Sequence, residues 1–259
     1  MDSRFEGKVV IVTGGGSGIG AAAAVRFAAE GAQVVVAGRT KATLDVVAKN
    51  PGKIDTRVVD VSAEAAVTGL VEEVASTYGR LDVLVNNAGA AALGNAEETG
   101  AELWRHIMST DLDSVFFASR AAVKHLRETR GNIVNVSSVA GIGGDYSAVA
   151  YNAAKGAVSN MTRAMALDHA RDGIRVNAVC PSLTVTAMTD AFRATAGVSE
   201  AFAMAIPMGR AAEADEVGDV IVFLASADAR FVTGVNLPVD GGLTASDGQP
   251  RLFQGTAAR

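Results

Sequence analysis

Short runs of valine, isoleucine and leucine, without polar alternation, are separated along this chain by longer alanine-rich stretches with helical periodicity. The pattern predicts strands at 8–13, 33–37, 55–59, 81–85, 132–136, 175–179 and 235–239. It predicts helices at 18–30, 41–49, 63–78, 98–108, 111–127, 151–172 and 214–225, with a loop-and-helix excursion over 184–208. Strands apolar on both faces and separated by helices define a parallel sheet covered on either side, a doubly wound α/β fold. Such sheets take ligands at the carboxyl ends of their strands, so function is expected in the loops that follow them. No repeat of solenoid period occurs. No Ser/Pro-rich linker or charge block divides the chain, and residues 1–259 are expected to form a single domain.

Composition narrows the picture. Apolar residues make up 49% of the chain and charged residues 20%, which excludes disorder and calls for a large core. Lysine and arginine number 23 against 28 acidic residues, a net charge of −5 without a basic stripe, so nucleic acid is not an expected partner. No apolar run approaches the roughly 20 residues of a membrane span. The charged stretch 1–6 leads straight into a strand, unlike a signal peptide, and a cytoplasmic location is expected. Cys180 is the single cysteine, and His106, His125 and His169 do not stand at metal-ligand spacing. Neither an intrachain disulfide nor a metal is expected.

The first strand runs into Thr13-Gly14-Gly15-Gly16-Ser17-Gly18-Ile19-Gly20 and then an alanine-rich helix. Glycines let the backbone turn tightly and approach a pyrophosphate, while the helix N-terminus supplies amide donors and a positive dipole. A flexible turn is the plain alternative. Strand before and helix after is the context that dinucleotide binding requires. The loop lacks the Gly-Lys-Ser/Thr of a P-loop, and Ile19 stands where a nucleophile elbow needs glycine.

Thr13-Gly14-x-x-x-Gly18-x-Gly20, followed in order by Asn86-Asn87-Ala88-Gly89, Ser138 and Tyr151-x-x-x-Lys155, resembles the short-chain dehydrogenase/reductase family from Lys8 to Gly242. The resemblance implies a Rossmann-like domain with a seven-stranded parallel sheet, a nicotinamide cofactor, and a homotetramer or homodimer. A narrower likeness to bacterial meso-2,3-butanediol (acetoin) dehydrogenases lies in residues 151–168, in Cys180-Pro181-Ser182-Leu183 and in the tail 244–250.

Hydride transfer to or from an alcohol carbon needs a group that takes or gives the hydroxyl proton. Tyr151 and Lys155 stand at i and i+4 and share one helix face. A free phenol titrates near 10; a nearby ammonium and the positive oxidised nicotinamide favour its ionised form. The resemblance also gives Lys155 the nicotinamide ribose to hold. Ser138, just past a strand, can hydrogen-bond the substrate oxygen. Ser137 is the rival, and strand alternation lets only one of the two point into the site. Family position favours Ser138. The family's fourth catalytic residue, an asparagine whose backbone carbonyl holds a water, falls on Asp111. Asp111 is therefore a site candidate, or a cap where two helices meet.

Cofactor choice is expected after the second strand, at Gly38, Arg39 and Thr40. An acidic residue there binds the ribose hydroxyls of NAD, and an arginine accepts the 2′-phosphate of NADP. Gly38 with Arg39 points to NADP(H); the narrower likeness points to NAD(H), with Arg39 stacking on adenine or facing solvent. By resemblance, Asp60 and Val61 contact adenine, and Asn87, Ala88 and Gly89 line the adenosine ribose. The same resemblance gives the stretch carrying Pro181, Ser182, Thr184 and Thr186 the nicotinamide amide to hold.

The excursion 184–208 reads as a largely apolar substrate lid. Leu183, Met188 and Phe192 form one wall, and Gly141, Ile142, Gly143 and Tyr146 the other. The expected substrate is a small or medium, mostly apolar secondary alcohol or ketone, a vicinal diol or acetoin included. Two rivals are a 3-oxoacyl thioester reductase, thinly supported by Arg193 and Arg210, and a catalytically silent dinucleotide sensor, against which Ser138, Tyr151 and Lys155 argue. The tail 243–259 is polar apart from Leu252-Phe253 and is expected to lie across a neighbouring subunit or to fray.

Overall fold

The computed structural model describes residues 3–248. The strands are β1 (Val9–Thr13), β2 (Gln33–Gly38), β3 (Lys53–Val58), β4 (Val83–Asn86), β5 (Asn132–Val136) and β6 (Arg175–Pro181). A two-residue pair, β7 (Thr184–Val185) and β8 (Ala212–Glu213), precedes the last strand, β9 (Asn236–Val239). All but β7 and β8 join one parallel sheet in the order β3-β2-β1-β4-β5-β6-β9. The helices are α1 (Gly18–Ala29), α2 (Lys41–Ala48), α3 (Glu64–Tyr78), α4 (Ala101–Met108), α5 (Ser114–Thr129), α6 (Val149–His169), α7 (Asp190–Arg193), α8 (Val198–Ala205) and α9 (Ala214–Ala225).

Side chains alternate across a strand, so a strand covered on both faces must be apolar at every position. β1 does this: Val10 and Val12 enter the layer under α1 and α9, with Phe27, Ile221 and Leu224. Val9 and Ile11 enter the opposite layer under α3 and α5, with Leu70, Val74, Ala118 and Leu126. β2 repeats the division with Val34 and Val36 against Val35 and Ala37. The strand order reverses its direction of growth between β1 and β4, which opens a crevice at their carboxyl ends.

The two helices expected at 98–108 and 111–127 form one continuous rod. A single π turn, Ser109–Asp113, joins α4 to α5 with helical dihedrals on both sides. Asp111 therefore caps nothing. The excursion 184–208 is tethered at its base by Thr184 pairing with Ala212, and it carries α7 and α8, whose Phe192 and Phe202 rings meet edge-on at 5.7 Å. Gln249 and Pro250 of the narrower likeness, and Leu252-Phe253, lie outside the described residues. Among the described residues, no helix is long and apolar enough to cross a membrane, and no group of side chains could hold a metal ion.

Candidate active site

The glycine loop is braced from β4. Thr13 Oγ1 donates to the Val85 carbonyl at 3.3 Å and accepts from the amides of Asn87 and Ala88 at 3.0 and 3.2 Å. Asn87 Nδ2 donates to the carbonyls of Thr13 and Gly14 at 2.9 and 3.1 Å. These bonds need the backbones to touch: a Cβ on Gly14, which has φ +64°, would lie 2.8 Å from Ala88 Cα. Gly20 is equally closed, by the Asn87 amide. Beyond the loop, α1 begins without an acidic residue in its first turn, and Ser17 spends no side-chain hydrogen bond on capping it. Its first amides are left to an anion. Gly16 faces the Thr43 hydroxyl, a neighbour of the loop that the sequence pattern did not single out. The cradle fits a dinucleotide pyrophosphate: backbone approach, open amides and no competing carboxylate. Ile19 packs beneath it on the α1 layer.

Lys155, Asp111 and Tyr151 meet beyond the ends of β4 and β5. Lys155 is buried, with Nζ donating to the Val136 carbonyl at 3.1 Å and standing 5.6 Å from the Tyr151 ring centre. Asp111 Oδ2 lies 3.1 Å from the same Nζ, while Oδ1 accepts from the Ala90 amide at 2.7 Å. Burial pulls the Lys155 ammonium down. The charge of Asp111, with Tyr151, more than offsets this and holds it above its ordinary value. Gly89 gives the pair room: a Cβ there would sit 3.0 Å from Asp111 Oδ2 and 3.4 Å from Nζ. Tyr151 itself is half-buried.

The structure also separates the two serines. Ser137 Oγ is committed to α6, 3.1 Å from the Lys155 carbonyl and 2.7 Å from Ser159 Oγ. Ser138 Oγ accepts the Ala140 amide at 3.1 Å at the start of the short turn Val139–Gly141, which leaves its own proton to donate elsewhere. Cys180 lies against this group, fully buried, and burial pushes its thiol up.

Where the sequence pattern expects the adenosine end, Arg39 and Thr40 are exposed at the end of β2 beside Gly38. Among the described residues Arg39 makes no ion pair. Lys41, the neighbouring cation, is engaged by Asp45 at 2.7 Å. Asp60 accepts the Ser62 hydroxyl and amide at 2.7 and 3.0 Å, which with the charge of Arg39 hold its carboxyl below the usual range. Val61 is buried in the layer under α3. Past β6, where Pro181 is buried and Ser182 half-buried, Thr189 Oγ1 donates to the Thr184 carbonyl at 2.6 Å and knots the loop. This places Thr186 over Gly18, where a Cβ would meet its methyl at 2.9 Å. The loops after β1 and β6 thus close on one another.

The expected substrate walls are less gathered. Met188 and Phe192 are exposed, and Leu183 is half-buried with its carbonyl accepting the Ala212 amide at 3.0 Å. Gly141, Gly143 and Tyr146 line an open hollow of about 520 Å³ together with Asn152 and Gly156 of α6. Tyr146 projects into solvent, and Ile142 is exposed beside it.

The crevice, the braced glycine loop and the Tyr151–Lys155 pair define a dinucleotide-dependent oxidoreductase of the short-chain dehydrogenase/reductase class. A family model described as "Enoyl-(Acyl carrier protein) reductase" matches residues 14–244, and the chain belongs to that short-chain dehydrogenase/reductase family. It is 51% identical to the meso-2,3-butanediol dehydrogenase of Serratia marcescens over 251 residues, covering 96% of this chain and 99% of that one. It is 39% identical to the NADP-dependent (R)-specific alcohol dehydrogenase of Lentilactobacillus kefiri, covering 95% and 100%. The crystal structure of gox2181 superposes with a TM-score of 0.91 at 31% identity, covering 94% of this chain and 98% of that one.

Proposed function

We propose that this protein is an NAD(P)-dependent alcohol dehydrogenase that moves a hydride between nicotinamide and a small secondary alcohol or ketone, with vicinal diols and acetoin first among its substrates. The observation that carries the reading is the buried Lys155 ammonium 5.6 Å from the Tyr151 ring, beside a glycine cradle that fits a pyrophosphate. The 51% identity to a butanediol dehydrogenase supports the diol as the first substrate to try. The nicotinamide, when bound, supplies the hydride acceptor or donor. Tyr151 takes the alcohol proton at its phenol oxygen as the hydride leaves, or returns it to a ketone oxygen. Ser138, with its acceptor side occupied by the Ala140 amide, donates its proton to the substrate oxygen and steadies the developing charge. Lys155 keeps a positive charge beside the phenol. Asn87 and Thr13 hold the cofactor loop, and Thr186 closes over it.

We further propose NADP(H) as the preferred coenzyme, with NAD(H) as the alternative, because Arg39, exposed after β2 and in no ion pair among the described residues, would accept a 2′-phosphate. The apolar side chains of Trp104, Phe116 and Leu167, exposed on the α4–α5 rod and α6, support a homo-oligomer.

Oxidation of meso-2,3-butanediol and reduction of acetoin, followed with each coenzyme, test the activity. Tyr151→Phe is expected to lower kcat by roughly 10²- to 10⁴-fold while fluorescence titration shows coenzyme still bound. Full turnover by that variant would remove Tyr151 from its role, and no turnover of any alcohol or ketone by the unsubstituted protein would overturn the enzyme reading.

A further inference from the structure

Residue 111 departs from the family pattern by one charge, and the departure falls at the most enclosed point of the site. Asp111 has no exposed surface. Its carboxylate is gripped on one side by the Ala90 amide at 2.7 Å and faces Lys155 Nζ on the other at 3.1 Å. The second contact is an ion pair rather than an aligned hydrogen bond, since Oδ2 makes none. The π turn provides the inward aim. We propose that Asp111 is a positioning residue: its carboxylate pins the Lys155 ammonium and cancels part of that ammonium's field at the Tyr151 hydroxyl, so that residue 111 sets the pH window in which the site works.

Few other titratable groups face this pair and Tyr151, and of these Cys180 adds to what holds the Lys155 ammonium charged. From β5 comes the neutral carbonyl of Val136, and from β6 the Cys180 thiol, which burial keeps protonated. Ser137 and Ser159 are neutral and bonded to each other. α4 packs on α6 through Ile107, and its Glu102, Arg105 and His106 are exposed. On α6 the next cation, Arg163, is exposed two turns away, and on the π turn Asp113 is exposed. One buried negative charge thus opposes one buried positive charge, both within reach of the phenol. Charges so close and so poorly screened act on each other strongly. Removing the negative one strengthens the lysine's pull on the phenol proton, so the acid limb of alcohol oxidation moves to lower pH. It also removes what holds the ammonium charged against burial, so the alkaline limb moves down too.

This inference rests on the proposed alcohol oxidation, and two readouts keep the failures apart. The first is the pH profile of kcat/KM for diol oxidation, in the unsubstituted protein and in Asp111→Asn, whose amide oxygen still accepts from Ala90. Both limbs are expected to shift down by about one pH unit. The second needs no turnover. The chain has three tyrosines, Tyr78, Tyr146 and Tyr151; burial and Asp55 push Tyr78 up to about 12. Ultraviolet titration of phenolate, differenced against Tyr151→Phe, isolates Tyr151, and its signal is expected at lower pH in Asp111→Asn. Asp111→Ser, smaller and also neutral, gives the same reading if the amide variant does not fold. Limbs and phenolate signal both unmoved, or moved upward, would overturn the proposal while leaving the oxidoreductase standing. An absence of turnover together with an unmoved phenolate would overturn both.

Discussion

Among the described residues Arg39 is in no ion pair, although its charge reaches Asp60, and that is what makes it informative. A guanidinium already paired would have to give up its partner to accept a phosphate; Lys41 is in that position, and Arg39 is not. Charge-assisted hydrogen bonds to a phosphate are each worth a few kcal/mol. Arg39→Ala is therefore expected to weaken NADPH binding by about 10- to 100-fold and to leave NADH binding within about twofold. Parallel fluorescence titrations check this, and tighter binding of NADH by the unsubstituted protein would assign Arg39 to solvent or to adenine stacking. At this scale the sequence was legible wherever a residue's role follows from spacing. Tyr151 and Lys155 share a face because a helix repeats every 3.6 residues. The choice between Ser137 and Ser138 was not legible from alternation alone, because it turns on Ser159, a partner one turn beyond Lys155 that only the folded helix brings to Ser137.

Elements were readable where burial dictates composition. β1 and β2 are apolar at every position because both faces are covered, and the glycine loop announces itself by what a Cβ would strike. The π turn was not readable. Ser109-Thr110-Asp111-Leu112-Asp113 is polar and poor in helix formers, which resembles a break between two helices more than a continuation. The lid was legible only as an apolar excursion, since its short helices are held by local hydroxyl bonds rather than by periodicity. The brace between the β1 and β4 loops yields a prediction of its own. Asn87→Ala removes both donors to the Thr13 and Gly14 carbonyls. It is expected to cost about 2 kcal/mol of stability and to weaken coenzyme binding severalfold, read by thermal melting and by titration. Unchanged coenzyme affinity would mean that the loop holds its shape without the brace.

Over the whole molecule, two buried carboxylates tie distant segments together. Glu30, at the end of α1, is nearly sealed; Arg4 reaches it at 2.6 and 2.7 Å and Arg26 at 2.8 Å, and Arg4 also meets Asp228 beyond α9. Asp82 accepts the Val9 amide at 3.0 Å and pairs with Lys8 and Arg80. The Arg4 guanidinium holds the Glu30 carboxyl below the usual range. For Asp82, burial pushes upward, but Arg80, the Val9 amide and Lys8 together prevail and lower it. Both folded carboxyls hold protons less tightly than in the unfolded chain. The stability they contribute is therefore complete above the ordinary carboxylate range and is lost as pH falls through their lower folded values. The melting temperature is expected to drop steeply below about pH 4. Glu30→Gln is expected to make that drop shallower and to cost about 2 kcal/mol at neutral pH, or several degrees. An acid profile identical to that of the unsubstituted protein would count against the tie.

The single π turn between α4 and α5 has a consequence for how one rod serves two neighbours. A helix advances about 100° per residue, so one extra residue in a turn resets the phase of everything after it. Before the turn, Ile107 faces α6; after it, Ala118, Ala122 and Leu126 face the sheet and α3. The two stripes are out of step with each other and in step with their separate partners, and the residue at the change of phase is Asp111. Losing one residue anywhere in 109–113 would unscrew either the stripe or the carboxylate from its place, which makes the length of this turn as much a determinant of the site as any side chain in it.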